Sequence, residues 1–212
     1  DADPDKPGDQ PLTYVLSIMN GRGGTSSQGS PDEAKNVFSV GSTFMQQYPS
    51  GNQNLHINDI SSNSAHGPAL DGRNLPDIVA PGSYVDSTTT IPKNGYALKT
   101  GTSMASPQVS GAAALFFEWY RGQFNGADPS PAMVKAAFLP AAHDLAGNKD
   151  ANGLTLGHPF DSKQGWGRLN LADVLKPPGD ALYFDQEHLF TTTGQTWSYT
   201  INLDEPIQGL RA

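Results

Sequence analysis

Short apolar runs alternate with longer amphipathic segments along the chain. Three of the runs are TYVLSIM at residues 13–19, NVFSVGS at 36–42 and PDIVAPG at 76–82. Largely apolar runs of this length are typical of strands buried on both faces of a parallel sheet. The pattern therefore predicts three core strands, each followed by a loop.

Two further segments have the spacing of helices. After Ser103, apolar side chains recur at intervals of three and four residues, at Val109, Ala112, Ala113, Phe116 and Tyr120. A second helix is predicted to have Ser130 as its N-cap and Pro131 as its first residue, and to end before Pro140. Strands that alternate with helices predict an α/β fold with a mainly parallel sheet flanked by helices.

The two ends of the chain differ from this central part. Residues 1–11 are polar and Pro-rich, which predicts a linker or loop, and residues 12–176 are predicted to form one packed unit. A Pro-Pro-Gly breaker then precedes two strand-like runs, LYFDQEHLF and TWSYTINL, on either side of a TTTGQ turn. We expect residues 180–212 to be the first strands of an all-β sandwich domain.

The composition of the chain argues against several classes of function. The 212 residues have a formal net charge of −8 and no cysteine. An acidic chain without a basic run is a poor partner for nucleic acid, and the lack of cysteine excludes thiol catalysis and Cys-ligated zinc. No apolar run approaches the roughly 20 residues that span a bilayer, so we expect no membrane segment.

Ser103 is the candidate for chemistry, in the run KTGTSMASPQVSGAAALFF. A serine among small residues at a helix start is either a helix cap or a nucleophile. The helix N-terminus would aim backbone N–H groups and the positive end of the dipole at whatever the hydroxyl attacks. This arrangement suits acyl transfer.

The GTSMASP run, with Val109 and Gly111, closely resembles the serine signature of the subtilisin-like serine proteases, the subtilases. Three further segments resemble the same family in the same order: residues 34–42, 61–82 and 164–175. The resemblance covers about residues 13–175 and implies the C-terminal part of a subtilisin-like catalytic domain. The tail resembles, more weakly, the start of the jelly-roll domain that follows this domain in some secreted bacterial members.

The resemblance implies roles for particular residues. Ser103 would be the nucleophile of a serine endopeptidase, and Asn20 would hold the oxyanion together with the Ser103 backbone amide. The walls of the substrate pocket would be Ser17, Ile18, Met19, Gly29, Ser30 and Pro31. Met19 departs from the family, in which a small residue usually precedes the asparagine. An Asn-Gly turn is the alternative interpretation of Asn20.

The family's catalytic Asp and His belong to segments upstream of the asparagine, and neither segment is found in these residues. None of the five histidines matches the catalytic position; they are His56, His66, His143, His158 and His188. We expect the base to come from an N-terminal catalytic segment, which makes that segment a partner of this chain, with polypeptide as substrate. The alternative is a catalytically inactive subtilase-like module that binds or scaffolds.

The chemistry of such a site requires no cofactor. The run NKDANG at 148–153 spaces Asn148, Asp150 and Asn152 like the start of a calcium loop, but Pro159 stands where the bidentate acid belongs. A solvated turn is the favoured interpretation, although structural calcium elsewhere is compatible with the family. The resemblance also implies secretion.

Overall fold

A computed structural model of the chain describes residues 11–45, 57–185 and 190–200. Within these residues, a three-stranded parallel sheet is followed by a two-stranded antiparallel hairpin and then by three helices. The predicted linker, apart from Pro11, lies outside the described residues.

The parallel sheet contains β1 (Val15–Ser17), β2 (Phe38–Phe44) and β3 (Ile78–Ser83), in the spatial order β1-β2-β3. Val15 lies opposite Phe38 in the first pair, and the second pair is also parallel. Nearly every residue of β2 and β3 is buried, which explains why these strands read as largely apolar runs. The three predicted strands and the α/β class are confirmed.

Helix α1 (Thr102–Gln123) packs across the sheet and supplies much of the main core. Its buried residues include every one that the helical spacing predicted: Val109, Ala112, Ala113, Phe116 and Tyr120. Helix α2 (Pro131–Phe138) begins as predicted, because the Ser130 hydroxyl accepts a 3.0 Å hydrogen bond from the Met133 amide. A short helix, α3 (Leu171–Leu175), ends the segment 164–175 that resembles the family.

The sequence did not indicate the hairpin formed by β4 (Val85–Thr89) and β5 (Gly95–Lys99). Most of its residues are exposed or half-buried and many are Ser or Thr, so it has no apolar alternation to detect. The hairpin returns the chain to the edge of the sheet. There the Gly101 amide donates a 2.9 Å hydrogen bond to the Gly82 carbonyl, just before α1 begins.

The described part of the tail, residues 177–185 and 190–200, contains neither helix nor strand. Tyr183 instead packs against the aromatic face of α1, with its ring centroid 5.6 Å from that of Trp119. The predicted turn is present, with Gly194 at a φ of +89°. Phe184 reaches across it to Trp197 at 5.2 Å. The strand prediction is therefore wrong for these residues, and the β-sandwich domain stays a prediction.

Candidate active site

Ser103 is the second residue of α1 and is exposed to solvent. The residue before the helix, Gly101, has no side chain to cap it. Among the described residues, none accepts a hydrogen bond from the Ser103 amide. The hydroxyl and amide of Ser103 therefore lie together at the positive end of a 22-residue helix.

The side chain of Asn20 caps this helix from the sheet side. Its Oδ1 accepts hydrogen bonds from the Thr102 amide at 3.1 Å and from the Thr102 hydroxyl at 3.2 Å. It also accepts one from Asn63 Nδ2 at 2.8 Å. With the oxygen engaged in this way, the amide nitrogen of Asn20 is the part of the side chain that can donate to a ligand.

The two candidate donors border the same space. A Cβ atom placed on Gly101 would lie 3.4 Å from Asn20 Nδ2 and 3.7 Å from the Ser103 nitrogen. Gly101 has an extended backbone that any residue can adopt, so the glycine here leaves room rather than relieving strain. The structure thus brings Asn20 and Ser103 together, as the resemblance implied.

Gly82 allows the helix to approach the sheet this closely. A Cβ on Gly82 would lie 2.6 Å from the Gly101 carbonyl oxygen and 2.9 Å from the Ala105 Cβ. Both separations are too short for a side chain without movement of the backbone. The small residues at the end of β3 therefore set the position of Ser103.

Met19 precedes Asn20 and has a left-handed backbone with a φ of +88°. This conformation suits glycine and is strained for methionine. The side chain lies over Gly29, where a Cβ would overlap with the Met19 sulfur. Met19 therefore covers Gly29, one of the residues that the resemblance implies for the walls of the substrate pocket.

The remaining predicted pocket residues are not equivalent. Ile18 is fully buried against Ala65 and Leu75, so only its backbone could face a substrate. The half-buried Ser17 ends β1. Ser30 and Pro31 are among the residues that line a groove of about 320 Å³.

His66 is nearly fully buried, and burial lowers its pKa despite the opposing charge of Asp150. Its Nδ1 lies 3.3 Å from the Gly24 carbonyl oxygen, and its Nε2 has no partner in the described part of the chain. No histidine among the described residues forms a hydrogen bond with the Ser103 hydroxyl. His56 and His188 lie outside those residues.

The NKDANG turn is largely exposed or half-buried, as predicted, except that the side chain of Asp150 is buried. Lys163 places its ammonium nitrogen 2.7 Å from Asp150 Oδ2. Burial would raise the pKa of Asp150, but hydrogen bonds from Lys163 and two backbone amides hold it below its usual range. A lysine thus neutralises the carboxylate where a metal ion would be needed. In the described ranges, no group of three or more His, Asp or Glu residues could hold a metal ion.

Two residues that the sequence did not single out also belong to the site. Thr102 donates twice to Asn20 and is fully buried, and Asn63 donates once from the segment that follows residue 60. The position of Thr102 directly before Ser103 was a usable signal. Asn63 gave none, because 43 residues separate it from Asn20.

No helix in the described part of the chain is long and apolar enough to cross a membrane.

The family model described as the subtilase family matches residues 5–167. Alkaline elastase YaB of Bacillus sp. (strain YaB) is 41% identical over 101 residues, which are 48% of this chain and 22% of that protein. Subtilisin BL of Lederbergia lenta is 42% identical over 101 residues, covering 48% and 30%. The minor extracellular protease Vpr of Bacillus subtilis (strain 168) is 34% identical over 155 residues, covering 66% and 17%. The chain therefore spans less than a third of the length of these relatives.

Solved structures give the same fold. The CspB protease of Clostridium perfringens is 29% identical with a TM-score of 0.54, over 71% of this chain and 28% of that one. The prenylagaramide maturation protease PagA is 22% identical with a TM-score of 0.53, over 77% and 50%. At that lower identity, the second likeness supports the fold alone.

Proposed function

The chain belongs to the subtilase family, and we propose that it carries the nucleophile and the oxyanion site of a serine endopeptidase. One observation carries this proposal. The side-chain oxygen of Asn20 caps α1 at Thr102, so that Asn20 Nδ2 and the Ser103 amide border one space beside the Ser103 hydroxyl.

In the proposed reaction, Ser103 Oγ attacks the carbonyl carbon of a peptide bond and loses its proton to a histidine base. The negative charge that develops on the carbonyl oxygen is stabilised by Asn20 Nδ2 and the Ser103 amide. The base then gives its proton to the departing amine as the peptide bond breaks. Water attacks the resulting ester on Ser103 and releases the acyl group as a carboxylic acid.

The base and its orienting carboxylate are proposed to come from an N-terminal segment. Two surfaces support this. Within the described residues, β1 pairs only with β2, and Leu12 and Tyr14, which precede β1 in the chain, are exposed. On α1, Gly111, Ala114 and Leu115 are also exposed. Parallel sheets normally have both faces covered and few open edges. The unpaired edge of β1 therefore fits a further strand, and the exposed surface of α1 fits a further helix.

The proposed substrate is a polypeptide, which would enter between the loop that contains Met19 and the loop that contains Gly29, Ser30 and Pro31. Ser17 and the backbone of Ile18 would form the adjoining wall. Because the Met19 side chain lies over Gly29, the pocket is expected to favour small substrate side chains. Secretion is proposed by analogy with Vpr, which is named as an extracellular protease.

Hydrolysis of a denatured protein by the full-length protein tests the proposal. Ser103→Ala should lower turnover by about a millionfold, the size of the loss when subtilisin loses its nucleophile. Ser110→Ala is the matched control, because that exposed hydroxyl bonds only to the Ser106 carbonyl of its own helix among the described residues. Equal turnover in the Ser103→Ala variant would contradict the proposal. A folded wild-type protein without hydrolysis would favour the inactive binding module.

A further inference from the structure

We propose that Asn63 is a positioning residue that holds the Asn20 amide in the orientation needed to donate to the oxyanion. This inference rests on the proposed function, and it concerns a side chain that does not itself contact the reacting atoms. It starts from the 2.8 Å hydrogen bond between Asn63 Nδ2 and Asn20 Oδ1.

The direction of this bond is fixed by groups whose roles are unambiguous. The Thr102 backbone amide can only donate, so the Asn20 atom that it contacts at 3.1 Å must be the oxygen. The Asn63 atom that faces the same oxygen must then be the nitrogen. The orientation of both amides therefore follows from one N–H group at the start of α1.

Asn63 is itself held at its other end. Its Oδ1 accepts a 3.2 Å hydrogen bond from the Ser83 hydroxyl and another from the Ser61 hydroxyl. Both serines are almost fully buried, and their hydroxyls also contact each other. Hydroxyl groups can donate or accept, so this pair adapts to the orientation that Thr102 imposes.

The backbone of Asn63 is fixed as well. Its carbonyl oxygen accepts a 3.1 Å hydrogen bond from the Arg22 amide, two residues after Asn20. The Asn63 side chain therefore moves with the loop that carries Asn20. Because its backbone and its Oδ1 are both held, the Asn63 amide stays aligned with Asn20.

This support matters because the Asn20 side chain is exposed. An exposed amide can rotate toward water, and a rotated amide would present its oxygen rather than its nitrogen to the developing negative charge. Three donors on Oδ1, two from Thr102 and one from Asn63, oppose that rotation. Donors that need no reorganisation during the reaction are the ones that lower the barrier.

A double-mutant cycle in the full-length protein tests the inference. The values of kcat and KM for a chromogenic peptide are measured for wild type, Asn63→Leu, Asn20→Ala and the double variant. Asn63→Leu removes the donor and keeps a similar volume. We expect it to lower kcat by about tenfold, with KM changed by less than about twofold. In the Asn20→Ala background, the same substitution should change kcat by less than about twofold.

The matched control is Ser62→Ala, an exposed neighbour of Asn63, which should leave kcat unchanged. If Asn63→Leu does not fold, Asn63→Asp replaces the donor with an oxygen that repels Asn20 Oδ1, and the same cycle applies. Equal losses with and without Asn20 would overturn the inference, because they would show a structural role. An Asn20→Ala variant with wild-type kcat would instead contradict the proposed function itself, and with it the inference.

Discussion

The side-chain oxygen of Asn20 accepts a 3.1 Å hydrogen bond from the backbone amide of Thr102. This one contact joins the loop after β1 to the first residue of α1. It satisfies an N–H group that a helix start leaves without an internal partner, and it turns the Asn20 nitrogen toward Ser103. A helix cap and a candidate oxyanion site are therefore made by the same side chain.

The Met19→Gly variant should be more stable toward unfolding than the Met19→Ala variant. Its φ of +88° costs an L-residue about 1–2 kcal/mol, whereas alanine normally exceeds glycine in stability by up to about 1 kcal/mol. Met19→Ala removes the side chain but keeps the strain, and Met19→Gly removes both. We expect Met19→Gly to have a free energy of unfolding about 1 kcal/mol higher than that of Met19→Ala, and therefore to unfold at a higher urea concentration.

Ala136→Gly on the exposed face of α2 is the matched control. There, where the backbone is helical, glycine should be less stable by about 1 kcal/mol. If Met19→Gly is also less stable than Met19→Ala, residue 19 does not have the left-handed backbone that the pocket description requires.

His66 should make the folded chain sensitive to mild acid. Burial lowers its pKa in the folded state, the carboxylates of Asp150 and Asp161 oppose this shift, and the ammonium of Lys163 adds to it. The unfolded state, with a pKa of about 6.5, therefore binds the proton more readily. Stability linked to His66 is present above pH 6.5, and it falls as the pH drops through 6.5 toward the lower, folded-state pKa.

Urea unfolding of the full-length protein at several pH values between 8 and 5 measures this effect. The wild type should lose more unfolding free energy than His66→Gln over that range, since glutamine does not titrate. The two proteins should show the same pH dependence above pH 7.5. Parallel curves down to pH 5 would contradict a buried, neutral His66.

Much of the fold could be predicted because its signals are local. The runs that became β2 and β3 are apolar because both faces of those strands are buried. The Ser130-Pro131 pair marks a helix start because the serine hydroxyl caps an amide three residues later. The GTSMASP run likewise fixed Ser103 at the start of α1.

The parts that could not be predicted depend on contacts between distant residues. Lys163 lies 13 residues from Asp150, and no local pattern indicates that the Asp150 side chain is buried in an ion pair with it. Asn63 lies 43 residues from Asn20, and no local pattern indicates that their amides meet. The left-handed backbone of Met19 was also not predicted, because methionine is not typical of that conformation.

The most direct test of the central claim is covalent labelling of the full-length protein with a fluorophosphonate, followed by mass spectrometry of the labelled peptide. We predict one label on Ser103, lost on heat denaturation and absent from Ser103→Ala, because only an activated serine beside an oxyanion site reacts. An unlabelled Ser103, under conditions that label an active subtilase, would contradict the account.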